Sequence, residues 1–524
     1  MCHATACPTV PFSQGTEKTG QSPTFCHQAL KENMSRATAG VLSLVVLISI
    51  ARAPARATDV VAARADLYTA YAARLEKLAA ECQEQKLLEG AERLRSWLPE
   101  RAPDKLTLYV LPSAATQHLP EPPADGQEWR KRWQVLRDEQ AEALVKLARQ
   151  AVAEHRPSLA VELVTEAVRE NPDHKQARRM LGFVRFRDAW HTPFEVRQLS
   201  ANKFYHDQFG WLPKSHVARY DKGQRYYQGR WTSAADEAAL RADVKRGWRV
   251  ESEHYAVTTN HSLEEGVTLS RRLEMLFAVW QQAFAGYQVS EAEIARRFDG
   301  RGARREPIQH NVVYFRNREQ YNDALRSSQP QIEISIGIYF PRVRTAYFFA
   351  GEEQQHDTLY HEATHQLFQE TRPAVVEPGR ANNFWAVEGI ACYMESLHAY
   401  EHGFVTLGGT NASRMHTARR LVDDKQSLPL AELVQMGADA LQRDPRIKEL
   451  YGQATGLAHF FMHAQQGRYR EPLVRYLEAI YSARATPQTL AEATGVDDLA
   501  LDRQYREFMT AGQTASDAPT AAAR

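Results

Sequence analysis

His361-Glu362-Ala363-Thr364-His365, followed by Trp385-Ala386-Val387-Glu388-Gly389-Ile390-Ala391, is the part of this 524-residue sequence from which the rest is read. Leu359, Tyr360, Ala363, Leu367 and Phe368 keep helical spacing, and no proline intervenes before Pro373, so residues 357–370 are predicted to form a helix. On that helix His361 and His365 leave the same face one turn apart, the spacing at which two imidazole nitrogens share one zinc ion. Glu362 then stands beside the ion without binding it, where a general base for an activated water belongs. A buried amphipathic helix whose histidines hydrogen-bond internally is the competing reading of the same residues.

A catalytic zinc takes three protein ligands and keeps a fourth position for water. The metzincin continuation is excluded, because Phe368 and Thr371 stand where it needs Gly and His. Glu370 and Glu377 are set aside as ligands: they lie too close to the first helix, or in the Pro-flanked loop Arg372–Arg380. Glu388 sits on a second apolar, Pro-free segment (Phe384, Trp385, Val387, Ile390, Ala391, Tyr393, Met394), predicted to be an antiparallel partner helix. The small residues Gly389 and Ala391 beside it are expected to let the two helices approach closely.

HEATH followed by W-x-x-E-G-I-A-x-Y resembles the gluzincin metallopeptidases, and within them the peptidase MA-like domains of secreted bacterial proteins. The resemblance covers roughly residues 250–512, and only these two motifs are specific. It implies Zn2+ as cofactor, His361, His365 and Glu388 as its ligands, and Glu362 as the base. It implies a small mixed sheet over the HExxH helix and a helical C-terminal subdomain. Tyr451 resembles the oxyanion donor of related sequences, with His459 as runner-up; both also read as helix-packing residues. By the same resemblance the strand Thr345–Phe349 would pair with an extended peptide by edge addition, or else be an ordinary core strand. One departure concerns second-shell support. Many gluzincins place an acid shortly after the third ligand, whereas here Ala391 and Cys392 follow, so Asp357, Glu395 or a backbone carbonyl must orient a histidine instead. Cys392 reads as a small buried thiol or as a further metal-site residue.

The remaining sequence supplies context. A net charge of +1 with no face dominated by Lys and Arg argues against nucleic acid as a partner. Residues 1–33 lack periodicity and read as an over-extended translation start. Met34 opens a signal peptide over 34–57, with the apolar run Ala39–Ile50 followed by A-x-A sites at Ala51–Ala53 and Ala55–Ala57. The expected location is therefore secreted or periplasmic, with no stable membrane span after cleavage; an N-terminal membrane anchor is the alternative. The exported chain would keep only Cys82 and Cys392, which implies no disulfide framework.

Residues 58–185 read as a degenerate tetratricopeptide-like helical domain. Its clearest mark is Ser158–Val168, followed by Asn171-Pro172 at a helix break. Residues 186–250 form an aromatic- and Gly-rich linker region with tight turns between short strands. Residues 251–512 form the gluzincin-like domain. Within it His254–Thr259 is a strand, Ser262 with Glu265 is a capping box, and Asn311–Phe315 is a second strand. A helix spans about 318–325, Ile332–Tyr339 and Arg344–Phe349 form a hairpin, and helices dominate from Tyr393 to about Met509. Residues 513–524 are expected to be a disordered tail. The fold class is α+β, mostly helical. The expected function is an exported zinc metallopeptidase acting on a peptide or protein, with a protein partner on the helical domain as a further expectation. The alternative is an exported helical-repeat scaffold with an inactive or structural zinc domain.

Overall fold

The computed structural model describes residues 59–112, 128–302, 306–351, 356–400, 403–409, 412 and 414–516. The expected leader, 1–57, and the end of the expected tail, 517–524, lie outside them.

Helices open the described chain because its apolar residues keep a helical period. On Val60–Glu84 the residues Tyr71, Leu75, Leu78 and Ala79 are buried on one side. After Leu88–Arg95 and a strand β1 (Lys105–Tyr109), the helices Glu128–Ala153 and Pro157–Glu170 fold against each other and bury Leu144, Ala148, Leu163 and Ala167. Pro157 fits the first turn, where a missing N–H leaves nothing unpaired. The helix ends at Asn171 as its Asn-Pro sequence predicts, and His174 caps the next short helix, Lys175–Met180.

The tight turns expected after residue 183 are present, and they recur. β2 (Val184–Phe186) pairs with β3 (Ala189–His191), β4 (Lys203–His206) with β5 (Gly210–Pro213), and β6 (Gln224–Tyr227) with β7 (Arg230–Ser233). Each returning strand carries a tryptophan, Trp190, Trp211 and Trp231, and each runs into a short helical segment. Thr192 caps the first of these segments with a full capping box, and Ser233 caps the third. Gln228 and Gly229 both take positive φ at the third hairpin tip, the conformation a two-residue primed turn requires. Phe194 lies 6.3 Å from Trp211 and Tyr220 6.3 Å from Trp231, so each unit packs an aromatic on the next.

A five-stranded sheet follows, built from β8 (Trp248–Glu251), β9 (Tyr255–Thr259), β10 (His310–Phe315), β11 (Ile338–Phe340) and β12 (Thr345–Phe349). Its order is β11-β12-β10-β9-β8, with β10 parallel to both β9 and β12. The helix Leu263–Ala283 links β9 onward; Ser262 accepts from the Glu265 amide at its start. One open reading is decided here and one expectation changes. Thr345–Phe349 is the core strand of its two readings and no free edge, because β10 pairs with one side of it and β11 with the other. The covering arm is also shorter than the sequence suggested: Ile332–Ile334 is a 3-10 turn, held by burial of Ile332 among Phe315, Tyr321 and Phe349.

The helices His356–Glu370 and Phe384–Met394 follow, close to their predicted extents. Gly389 serves a different contact from the one expected: a Cβ there would lie 2.6 Å from the Ala454 carbonyl oxygen, so this glycine lets Phe384–Met394 approach the helix Ile447–Gly467. The helical C-terminal stretch is interrupted by β13 (His398–Ala399) and β14 (Phe404–Gly408), and β14 pairs antiparallel with β1, Tyr109 opposite Phe404. Arg470 and Glu471, at the start of the helix Arg470–Tyr481, reach back to Glu162 and to the Ser158 amide. The closing helix Asp498–Ser516 runs four residues into the stretch expected as tail. One large core joins the sheet, Leu263–Ala283, both motif helices and the C-terminal helices. The fold is α+β and mostly helical, as expected. Among the described residues no helix is long and apolar enough to cross a membrane.

Candidate metal centre

Two sets of constraints fix the motif residues in space. The helix His356–Glu370 buries Leu359, Ala363 and Leu367, which turns His361 and His365 toward Phe384–Met394. The start of that second helix is fixed by Asn383, fully buried at φ 61, whose amide donates to the Val434 carbonyl. Its side chain donates to the Thr486 carbonyl at 2.9 Å and accepts from the Tyr476 hydroxyl at 2.7 Å.

The result is a close triad. His361 Nε2 lies 3.2 Å from His365 Nε2 and 3.4 Å from Glu388 Oε2, and His365 Nε2 lies 3.8 Å from Glu388 Oε2. Ligand atoms bound tetrahedrally at about 2.0–2.1 Å stand about 3.3–3.4 Å apart, so these three atoms fit around one zinc. Glu388 Oε2 is buried and accepts no hydrogen bond among the described residues, which a cation between the three would remedy. Burial alone would raise the Glu388 carboxyl; His365 and His361 outweigh it and hold the group well below the usual carboxylate range, so it is an anion at neutral pH. His365, at 17% side-chain exposure against 3% and 7% for the other two, marks the side from which solvent reaches the triad.

Behind the triad, His361 Nδ1 lies 2.8 Å from Glu395 Oε1, and Arg414 stands 3.5 Å from the same oxygen. Glu395, one of the supports considered from sequence, is in hydrogen-bond contact. Its bond fixes the proton on Nδ1 and leaves the Nε2 lone pair facing His365 and Glu388. Cys392 Sγ lies 3.9 Å from the same Nδ1, and burial pushes its thiol up. His361, Cys392 and Glu395 also form a ligand-like group, yet one imidazole nitrogen cannot donate a proton to Glu395 and a lone pair to a second ion.

Glu362 is buried and accepts the backbone N–H of Tyr339, on β11, at 2.9 Å. Arg414 lies 5.6 Å from the Tyr451 ring and also contacts Glu395. His459 is elsewhere, against Tyr393, His463 and Phe508. The sequence reading missed Tyr481. It stacks on Phe368, its buried hydroxyl has no hydrogen-bond partner among the described residues, and burial first, then Tyr287 and Glu388, push its pKa well above that of a free phenol. No local motif marks it; it arrives on the helix Arg470–Tyr481. A cleft of about 1560 Å³ lies apart from the triad, walled by Trp190, His254, Glu274 and His310.

Residues 355–487, which include every residue of the triad, match the model of a family described as a protein of unknown function (DUF1570). No curated protein matches the chain.

Proposed function

We propose that this chain is an exported zinc-dependent peptidase with His361, His365 and Glu388 as metal ligands and Glu362 as general base. The single observation that supports it most is the convergence of three ligand atoms from two helices within tetrahedral spacing, with the buried Glu362 at the next position of the first helix. Zinc there would polarise the scissile carbonyl and lower the pKa of water toward neutrality. Glu362 takes the proton from the attacking water and passes it to the departing amine nitrogen. Glu395 keeps His361 in the tautomer that presents Nε2. With β12 paired on both sides, the strand that offers an extended peptide its free edge is β11, whose Tyr339 amide already touches Glu362. Export rests on the signal-like segment 34–57 alone. A purely structural zinc would close its fourth position and has no use for Glu362, which weighs against the scaffold reading.

The test is hydrolysis of casein and of a mixed peptide library by the purified chain, with and without chelator. Cleavage that chelator stops and zinc restores is expected. Glu362→Gln should lower kcat roughly 10²- to 10⁴-fold while about one zinc per chain remains. Activity that survives this substitution removes Glu362 from the chemistry, and a chain that cleaves nothing removes the peptidase.

A further inference from the structure

Glu370, set aside as a metal ligand, occupies a costly place. It is 5% exposed in the last turn of its helix, where the helix dipole disfavours a negative charge. Helix stability does not call for a glutamate there. Its partners show what it does hold: one oxygen accepts the Tyr339 hydroxyl at 3.1 Å and the Gln366 amide at 3.1 Å, while the other lies 2.8 Å from His310 Nδ1 and 3.7 Å from Arg344. Gln366 donates in turn to the Asn311 carbonyl on β10. Through these bonds one carboxylate ties β10 and β11 to the motif helix.

Tyr339 is thereby gripped at both ends. Its hydroxyl is held by Glu370 and its backbone N–H by Glu362, two acids about 12 Å apart along the same helix at 1.5 Å rise per residue. Since that N–H points at Glu362 and away from β12, the Tyr339 carbonyl, which leaves the strand on the same side, also faces the free edge.

We propose that Glu370 is a positioning residue for substrate. By holding the Tyr339 hydroxyl it sets the height of β11 over the helix, so that a peptide paired with the Tyr339 carbonyl presents its scissile bond to Glu362 in register. The proposal rests on the peptidase reading and deepens it. It predicts an effect that depends on how much of the edge a substrate uses, which a merely structural role would not produce.

The experiment compares wild type, Tyr339→Phe and Glu370→Gln on a long peptide that spans the cleavage point and on a blocked dipeptide. In Tyr339→Phe, kcat/KM for the long peptide should fall roughly 10- to 100-fold and that for the dipeptide less than about threefold. Glu370→Gln, whose amide oxygen still accepts the phenol, should lose less than Tyr339→Phe, and bound zinc should be the same in all three. If both substrates fall together, or neither falls, the proposal is overturned while the peptidase reading stands. If wild type cleaves neither substrate, the peptidase reading is overturned and the proposal with it.

Discussion

His361 and His365 leave one turn of the helix His356–Glu370, and His459 and His463 leave one turn of Ile447–Gly467, with the same spacing and opposite surroundings. The first pair faces Glu388 and is backed by Glu395. The second pair meets Tyr393, Phe508 and Gly408; a Cβ at Gly408 would lie 2.5 Å from His463 Nε2. Among the described residues, neither member of the second pair belongs to a group of ligand atoms close enough to share an ion. Burial, with Arg419, pushes His459 down to about 3, and burial, with His459 and Arg470, pushes His463 well below its usual value. One pair is arranged around an anion and the other is held neutral. Two histidines four apart are an amphipathic accident until a carboxylate arrives to face them.

The sharpest way to break this contrast is to count zinc. His365→Ala or Glu388→Ala should take the purified chain from about one zinc to near none, while His463→Ala keeps it. Equal loss from both pairs would show that the second pair binds metal too. A smaller effect separates Glu395 from a bystander: Glu395→Ala should weaken zinc roughly 10- to 100-fold in competition with a chromogenic chelator. No change would leave Glu395 as an ion-pair partner of Arg414 only.

The smallest effect concerns protons at the second pair. His459 titrates near 6.5 when unfolded and near 3 when folded, so below pH 6.5 the unfolded chain binds a proton that the native chain refuses. Stability is therefore complete above pH 6.5 and drains as pH falls toward 3, with a slope of up to about 1.4 kcal/mol per pH unit from this residue. His459→Leu should flatten the acid limb of a denaturation series between those limits. An unchanged limb would mean that His459 is protonated in the native state.

The features legible from sequence were those fixed over a few residues. The two motif helices, β9 and the helix Arg318–Leu325 follow from apolar period and caps. The triad was legible because helical spacing and a second apolar segment carry it. What escaped depends on distant partners. The hairpin that covers one side of Thr345–Phe349 was legible, but the parallel pairing with β10 on its other side was not. Gly389 is small for a helix that arrives sixty residues later. The three hairpins left a mark, a tryptophan every twenty or twenty-one residues, but their strands of three or four residues are too short to carry a period. Tyr481 joins the site only through the packing of the C-terminal helices.

The pairing of β1 with β14 couples chain regions far apart. Lys105–Tyr109 finds its partner about 300 residues later, a loop closure that slows assembly far more than it weakens the finished protein. A fragment excised to begin near residue 251 would leave Phe404–Gly408 with one side bare, its backbone groups free to recruit a second molecule. The amino-terminal region, through β1, thus supplies a shield as well as a neighbour, and the half that carries the triad is best produced with it attached.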